Sequence, residues 1–328
     1  MNQENLTGEK MIRRAWQQIM IGLARSERFK SFMQQSRSMS SLSHKYVAGS
    51  TPLDGAQVAR NLSQKGIKSS LFYLGEYVDT LDKAHENLTA KLSISPLLAD
   101  RKLDLHISVD PTQVGGAIKW DYCIENIKEI CSTVENLSAP IEGFHCVMLD
   151  MEDFSVNQAT IDLHDELLEE GYPVALTLQA YLKKTSIDIS KKIAQGAKVR
   201  LVKGAFVASS DIAFQGHKEI KENYRHLIDQ MLSESARKTG FYPIFATHDH
   251  TLHEYAIERA RENGWEQGTY EFEMLYGARN DIAEQLAIRG ERIRLYTPFG
   301  YDWWPYAVRR IGENPSSALL LLRSFLNI

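Results

Sequence analysis

The stretch PYAVRRIGE near the C-terminal end of the sequence combines a tyrosine, two arginines and a glutamate in helical spacing. Tyr306, Arg309 and Arg310 are three and four residues apart, so one helix face would present all three. Pro305 suits the first turn of such a helix, and Glu313 can pair with the arginines. Two guanidinium groups beside a tyrosine could form a forked receptor for a carboxylate. A solvated helix face with a routine ion pair is the more common meaning of this pattern.

A second stretch, VRLVKGA, places two cations on one apolar run. Arg200 and Lys203 would lie on a buried strand, where a cation needs an anionic or electron-rich partner. A salt bridge to a carboxylate of a neighbouring strand, such as Asp150, would satisfy that need. A flavin would also satisfy it, because its N1–C2=O edge gains negative charge on reduction. Gly204 would allow the backbone to approach a cofactor closely.

A third stretch, FATH followed by Asp249 and His250, could belong to a metal site. A metal-dependent barrel hydrolase would need further ligands, such as an HxH pair on an early strand. His106 and His145 form no such pair, and the sequence contains no HExxH motif. No metal site is therefore predicted, and metal-dependent hydrolysis remains a less favoured alternative.

Eight short β-rich runs alternate with amphipathic stretches, which predicts a parallel sheet with crossover helices. Gly171, Gly196 and Gly264 each precede a run, where helix C-caps belong. Eight consecutive units predict an α/β fold, a closed (β/α)8 TIM-like barrel over residues 67–328, preceded by a helical segment over residues 1–66 that packs on it. The first run is not followed by GxGxxG, which disfavours an open dinucleotide-binding sheet. The runs cover residues 70–77, 103–110, 143–150, 173–179, 198–203, 243–248, 270–275 and 292–297.

Polar or charged residues end nearly every one of these apolar runs. The C-terminal ends of barrel strands meet at one mouth, where the active site of such barrels lies. A shared site is therefore predicted there, although a single polar strand end can simply be solvated. The residues at these ends are Glu76, Asp110, Asp150, Glu152, Asp153, Gln179, Arg200, Lys203, Thr247, His248, Glu271 or Glu273, and Tyr296.

Composition limits the class of protein. The formal net charge of the 328 residues is -4, without a long basic run, so no nucleic-acid partner is expected. Cys123, Cys131 and Cys146 show no metal-type spacing, and so few cysteines favour a reducing compartment. The N-terminal residues lack the apolar core of a signal peptide. A cytoplasmic protein is expected, either free or peripheral to the inner face of a membrane.

The motifs VRLVKGA, FATH, YEFEMLYG, RLYTPFG and WWPYAVRRIGENP resemble those of the proline dehydrogenase family, in the same order. The resemblance covers roughly residues 45–326. It implies a flavoprotein oxidoreductase of proline catabolism, which oxidises L-proline to Δ1-pyrroline-5-carboxylate and passes a hydride to N5 of FAD. It also implies a quinone or another electron acceptor, and a pyrroline-5-carboxylate dehydrogenase as a possible partner.

The resemblance further implies roles for individual residues. The residues expected to act in catalysis are Arg200, Tyr296, Arg309 and Arg310. Those expected to bind the substrate are Asp110, Asp150, Leu275, Tyr296, Tyr306, Arg309, Arg310 and Glu313. Those expected to hold the cofactor are Gln179, Arg200, Lys203, Gly204, Ala205, Thr247 and His248.

Two positions depart from the family pattern. Strand 2 usually ends there in a lysine that helps to bind the substrate carboxylate, but Asp110 occupies this position here. Asp110 could pair with Arg309, Arg310 or Lys203, or it could indicate a substrate with an extra cation or no carboxylate. A flavin dehydrogenase of another imino acid or cyclic secondary amine is therefore an alternative. A barrel that has lost catalysis and only binds is a separate alternative, which the intact Arg200, His248 and Arg309–Arg310 set disfavours. The milder departure is Phe206, where a tyrosine is common.

Overall fold

The computed structural model describes residues 45–75 and 78–306. Glu76 and the predicted Arg309–Arg310–Glu313 group lie outside these ranges. Within them the chain forms one closed barrel in which eight parallel strands pair in sequence order and β8 closes onto β1. The strands are β1 (Lys68–Tyr73), β2 (His106–Val109), β3 (Cys146–Leu149), β4 (Val174–Gln179), β5 (Lys198–Val202), β6 (Tyr242–Ala246), β7 (Glu271–Leu275) and β8 (Ile293–Phe299).

Helices connect the strands and cover the barrel from outside, as the alternating sequence pattern predicts. The helices are α1 (Pro52–Ser63), α2 (Leu81–Ala99), α3 (Trp120–Ser138), α4 (Phe154–Glu169), α5 (Thr185–Ala194), α6 (His217–Met231), α7 (Glu234–Lys238), α8 (His250–Glu262) and α9 (Asn280–Ile288). The predicted (β/α)8 fold is confirmed. None of the described helices is long and apolar enough to cross a membrane.

Glycines end several connecting helices just before the next strand. Gly171, Gly196 and Gly264 have φ values of 87°, 65° and 72°, the left-handed region that favours glycine. The C-caps predicted at these three positions are confirmed. These glycines reverse the chain at the N-terminal ends of the strands, which form the bottom of the barrel. The C-terminal ends of the strands, at the mouth, are left free to carry functional side chains.

Strands β2 and β3 begin three residues later than the sequence pattern predicts. Two backbone N–H groups before these strands donate to side chains: Leu105 N donates to Nδ1 of His145 at 2.9 Å, and Phe144 N donates to Oδ1 of Asp104 at 3.4 Å. Strand β1 also ends earlier than predicted, at Tyr73. These differences shorten the strands without changing their number or order.

A buried arginine crosses the bottom of the barrel. Arg294 has a fully buried side chain, and its guanidinium donates to Glu271 Oε1 at 2.8 Å and to Asp104 Oδ2 at 2.8 Å. A further donor reaches the carbonyl oxygen of Ser69 at 2.9 Å. Because its partners start β7, precede β2 and start β1, Arg294 ties the N-terminal ends of the strands together.

Candidate active site at the mouth of the barrel

A cavity of about 1130 Å³ opens at the C-terminal ends of the strands. Single small-molecule sites commonly measure about 300–1,000 Å³, so this cavity exceeds what a small substrate alone needs. All seven residues predicted to hold a cofactor line it. The predicted site residues among its described lining are Asp110, Asp150, Glu152, Asp153, Gln179, Arg200, Lys203, Gly204, Ala205, Thr247, His248, Glu273, Leu275 and Tyr296.

Arg200 is held in the barrel interior by two carboxylates. Its side chain is 3% exposed. Nε lies 2.9 Å from Oε2 of Glu273 and Nη2 lies 2.8 Å from Oε1 of the same carboxylate. Nη1 forms an ion pair with Asp150. The salt bridge to Asp150 that the sequence offered as one explanation is therefore present. Three hydroxyl groups complete the arrangement: Ser70, Ser108 and Thr177. This cation cannot move without breaking several charge-assisted bonds.

Strand β7 carries two inward-facing glutamates, because side chains two apart share a face. Glu273 reaches Arg200 at the mouth, whereas Glu271 pairs with Arg294 at the bottom. The sequence left both as candidates for the site, and the structure assigns the mouth to Glu273. Burial, opposed by Arg200 and reinforced by Glu271, raises the pKa of Glu273 to about 7.

Glu273→Gln should reveal this raised pKa as a pH dependence of stability. A carboxyl group whose pKa is raised on folding favours the folded state most at low pH, and this contribution is lost as pH rises towards 7. Between pH 5 and pH 8 the free energy of unfolding of the wild type should fall by about 2–3 kcal/mol relative to the variant. Urea unfolding of both proteins at the two pH values measures this. A difference that does not vary with pH would contradict the buried titration.

Tyr296 links the aromatic wall of the cavity to Asp150. Its ring centroid lies 5.2 Å from that of Phe72, and its hydroxyl donates to Oδ2 of Asp150 at 3.0 Å. The Arg200 guanidinium carbon lies 5.5 Å from the ring centroid, within cation–π range. Burial and the neighbouring charge of Asp150 raise the pKa of Tyr296 well above its ordinary value. Tyr296 therefore acts as a hydrogen-bond donor and not as a base near neutral pH.

Gln179 presents a buried acceptor at the end of β4. Its Nε2 donates to the carbonyl oxygens of Met151 at 3.2 Å and Glu152 at 3.0 Å. Its Oε1 is buried and has no hydrogen-bond partner among the described residues. A buried acceptor without a donor is costly, and Gln179 lines the cavity. A ligand with an N–H group would satisfy it.

The loop after β5 comes close to the cavity through a glycine. Gly204 has a φ of 96°, and a Cβ there would clash with the ring of Tyr181, so no larger residue fits. Lys203 Nζ lies 3.6 Å from Oδ2 of Asp249 and is partly exposed. His248 Nε2 accepts from the backbone N of Leu275 at 3.4 Å. The structure thus gathers polar groups from β5, β6 and β7 at one side of the mouth.

Not every other residue named from the sequence is found in the lining of the cavity. Tyr306 is buried, but the described lining of the cavity does not include it. Phe206 lines the cavity and is 43% exposed. Arg309, Arg310 and Glu313 lie outside the described residues. Among the described residues no group of three His, Cys, Asp or Glu side chains could hold a metal ion.

Sequence reasoning missed several inward-facing residues of the site. Thr177 lines the cavity two positions before Gln179 on β4, and it donates to Oδ1 of Asp150 at 3.3 Å. Phe72 on β1 and Gln113 after β2 also line it. The period-two alternation of a strand could have identified Thr177, since Gln179 was already assigned to the mouth.

Comparison with known proteins shows which family and which relatives this chain is similar to. The family model described as proline dehydrogenase matches residues 56–321. The chain is 32% identical over 275 residues to proline dehydrogenase 2 of Bacillus subtilis (strain 168), covering 83% of this chain and 86% of that protein. It is 29% identical over 293 residues to proline dehydrogenase of Deinococcus radiodurans, covering 88% and 91%.

Solved structures of larger proteins contain the same barrel fold. Proline utilization A from Bdellovibrio bacteriovorus superimposes with a TM-score of 0.74 at 20% identity, covering 86% of this chain. The present chain spans 35% of that one, about a third of its length. At this identity the likeness concerns the barrel fold alone.

Proposed function

Since this chain belongs to the proline dehydrogenase family, we propose that it oxidises L-proline to Δ1-pyrroline-5-carboxylate with FAD as the hydride acceptor. The observation that carries the proposal is the composition of the cavity. Every residue that the family pattern assigns to the flavin lines one space that is larger than the substrate needs.

The described residues fit a flavin. Gln179 offers a buried acceptor that lacks a donor among the described residues, which suits an N–H group of an isoalloxazine ring. Gly204 and Ala205 bring backbone to the cavity, and Arg200 supplies a fixed cation. Lys203, Thr247 and His248 would hold the rest of the cofactor. When bound, FAD supplies the N5 atom that accepts the hydride.

The remaining site residues would orient the substrate. Tyr296 and Leu275 line the cavity and would bound the substrate ring, with Tyr306 nearby. Asp150 fixes the Tyr296 hydroxyl by accepting its hydrogen bond. Arg309 and Arg310 would bind the carboxylate, with Glu313 orienting them. Positioning is the main requirement of hydride transfer, because it needs the donor carbon close to the acceptor and a neutral amine.

The fates of electrons and product follow from the same reaction. The reduced flavin needs an acceptor, for which a quinone is proposed. The product would pass to a pyrroline-5-carboxylate dehydrogenase. Asp110 favours a second candidate, oxidation of another imino acid or cyclic secondary amine, because its carboxylate lines the cavity where a substrate carboxylate is expected.

An anaerobic titration tests the proposal. The purified protein is supplied with FAD, and L-proline is added while the visible flavin band is followed. Bleaching at moderate proline concentration, with formation of one equivalent of Δ1-pyrroline-5-carboxylate, is the expected result. Bound flavin that stays oxidised with proline but is bleached by another cyclic amine would favour the second candidate. Protein that retains no flavin would contradict the cofactor.

A further inference from the structure

A carboxylate joins two loops at the mouth of the barrel. Glu152, which follows β3, accepts hydrogen bonds from both donors of Thr112, which follows β2. The backbone N of Thr112 lies 3.0 Å from Oε2 of Glu152, and the Thr112 hydroxyl donates to Oε1. Thr112 belongs to a short 3-10 helix, Pro111–Val114. Since both residues line the cavity, the carboxylate fastens the 3-10 helix to the loop after β3 within the site itself.

The main chain of Glu152 is bonded to a different part of the site. Its carbonyl oxygen accepts from Nε2 of Gln179 at 3.0 Å, and the carbonyl oxygen of Met151 accepts from the same atom at 3.2 Å. These two bonds fix the amide whose Oε1 is proposed to accept from a flavin N–H group. Glu152 therefore connects the flavin-binding amide, through its main chain, with the 3-10 helix, through its side chain.

The 3-10 helix forms a stretch of the cavity wall. Thr112 and Gln113 line the cavity, and so does Asp110 immediately before the helix. The helix is also held from outside the barrel, where Nδ2 of Asn126 on α3 donates to the carbonyl oxygen of Val114 at 2.8 Å. That bond fixes the wall to a surrounding helix. The bonds to the Glu152 carboxylate fix it to the side of the site where the flavin is proposed to bind.

We propose that Glu152 is a positioning residue for hydride transfer: it fixes the 3-10 helix that borders the substrate relative to the Gln179 amide that holds the flavin. The inference rests on the proposed function. Hydride transfer depends steeply on geometry, because a displacement of about 1 Å can cost about 100-fold in rate. A wall attached only to the outer helices would move independently of the flavin. The link through Glu152 keeps the donor carbon and its acceptor at one separation.

The proposed role depends on reach and hydrogen bonding, not on charge. Glu152→Gln keeps the length of the side chain: its Oε1 can accept from the Thr112 N–H group, and its Nε2 can donate to the Thr112 hydroxyl oxygen. Glu152→Asp keeps the charge but is one methylene shorter, so it cannot reach both donors of Thr112 from the same backbone position. The two substitutions therefore separate the geometric role of Glu152 from an electrostatic one.

Single-turnover reduction of the FAD-loaded full chain by saturating L-proline tests the proposal. Glu152→Asp should lower the rate constant of reduction about tenfold or more, whereas Glu152→Gln should keep it within about threefold of the wild type. Thr112→Ser retains both donors and should be reduced like the wild type, whereas Thr112→Val lacks the hydroxyl and should be slower. Combining Glu152→Asp with Thr112→Val should add little to the slower single variant, because both substitutions break the same contact.

Ligand binding and a matched control separate positioning from general damage. Cyclopentanecarboxylate keeps the ring and the carboxylate of proline but cannot be oxidised, and calorimetry gives its Kd. This Kd should stay within about threefold in every variant, because a positioning residue lowers the rate more than it weakens binding. Asp229→Ala is the control. Asp229 accepts from the Tyr255 hydroxyl at 2.8 Å and joins α6 to α8, and neither residue lines the cavity. Its loss should leave the rate of reduction unchanged.

Hydrogen exchange provides a measurement that does not depend on proline oxidation. Because the Thr112 N–H group is bonded to Glu152, amide exchange of a peptide that covers the 3-10 helix should be about tenfold faster in Glu152→Asp than in the wild type or in Glu152→Gln. That order, with a flavin that proline does not reduce, would contradict the proposed reaction alone. Equal exchange in the three proteins would overturn the Glu152 proposal alone. Reduction of Glu152→Asp at the wild-type rate, or faster than that of Glu152→Gln, would also overturn it.

Discussion

Replacing Arg200 with methionine is expected to lower the free energy of unfolding by about 3–5 kcal/mol and to abolish flavin reduction by proline. The substitution leaves Asp150 and Glu273 facing each other in the barrel without their shared cation. It also removes the fixed positive charge that would stabilise a reduced flavin. Urea unfolding, flavin content and the rate of anaerobic reduction measure the three consequences.

Arg294→Met is the matched control at the opposite end of the barrel. Arg294 is also buried between two carboxylates, Glu271 and Asp104, but it does not line the cavity. Its loss should cost a similar free energy of unfolding while the flavin that binds is still reduced by proline. If both variants lose reduction per bound flavin equally, Arg200 acts only through stability. Arg294→Lys serves the same purpose if the methionine variant does not fold.

Replacing either Arg309 or Arg310 with alanine is expected to raise the KM for L-proline by about 30-fold or more. Truncating one partner of a hydrogen-bonded charge pair at an interface costs about 2–5 kcal/mol, and the two arginines are proposed to hold the substrate carboxylate together. The flavin should remain bound, because the cofactor residues lie on other elements. Steady-state kinetics and the visible spectrum measure the two effects.

Two ligands test whether the two arginines recognise the carboxylate group itself. Cyclopentanecarboxylate should lose affinity in parallel with proline, because both present a carboxylate. Pyrrolidine, which has none, should bind the variants and the wild type alike. Glu313→Gln keeps both arginines and should raise KM less than either alanine substitution does. An unchanged KM in Arg309→Ala and Arg310→Ala would show that these two arginines do not bind the substrate carboxylate.

Much of the fold was predictable because local chemistry and global topology agree. Glycines with positive φ end the helices at Gly171, Gly196 and Gly264, and apolar runs between them become buried strands. Because strand ends of a parallel barrel meet at one mouth, polar residues such as Gln179 and Arg200 could be assigned to one cavity before any distance was known. The cavity lining agrees with that assignment.

Other features depend on where a residue lies along the barrel axis and on which side chains surround it, and the sequence alone gives neither. Glu271 and Glu273 both face inward, and only the register of β7 separates the bottom of the barrel from its mouth. The burial of Lys91 on helix α2 is equally hard to predict from the sequence. Lys83, two turns earlier on α2, pairs with Asp79 in solvent, whereas Lys91 is fully enclosed. Both are lysines in a mixed polar segment, so burial cannot be read from residue type.

Single-turnover reduction of the flavin by deuterated proline tests the central claim most directly. The FAD-loaded enzyme is mixed anaerobically with saturating L-proline that carries deuterium at C5 or at C2, and bleaching of the flavin band is timed. Oxidation to Δ1-pyrroline-5-carboxylate breaks a C5–H bond, so deuterium at C5 should slow reduction and deuterium at C2 should not. Slowing by deuterium at C2 alone, or a flavin that proline does not reduce, would contradict the account.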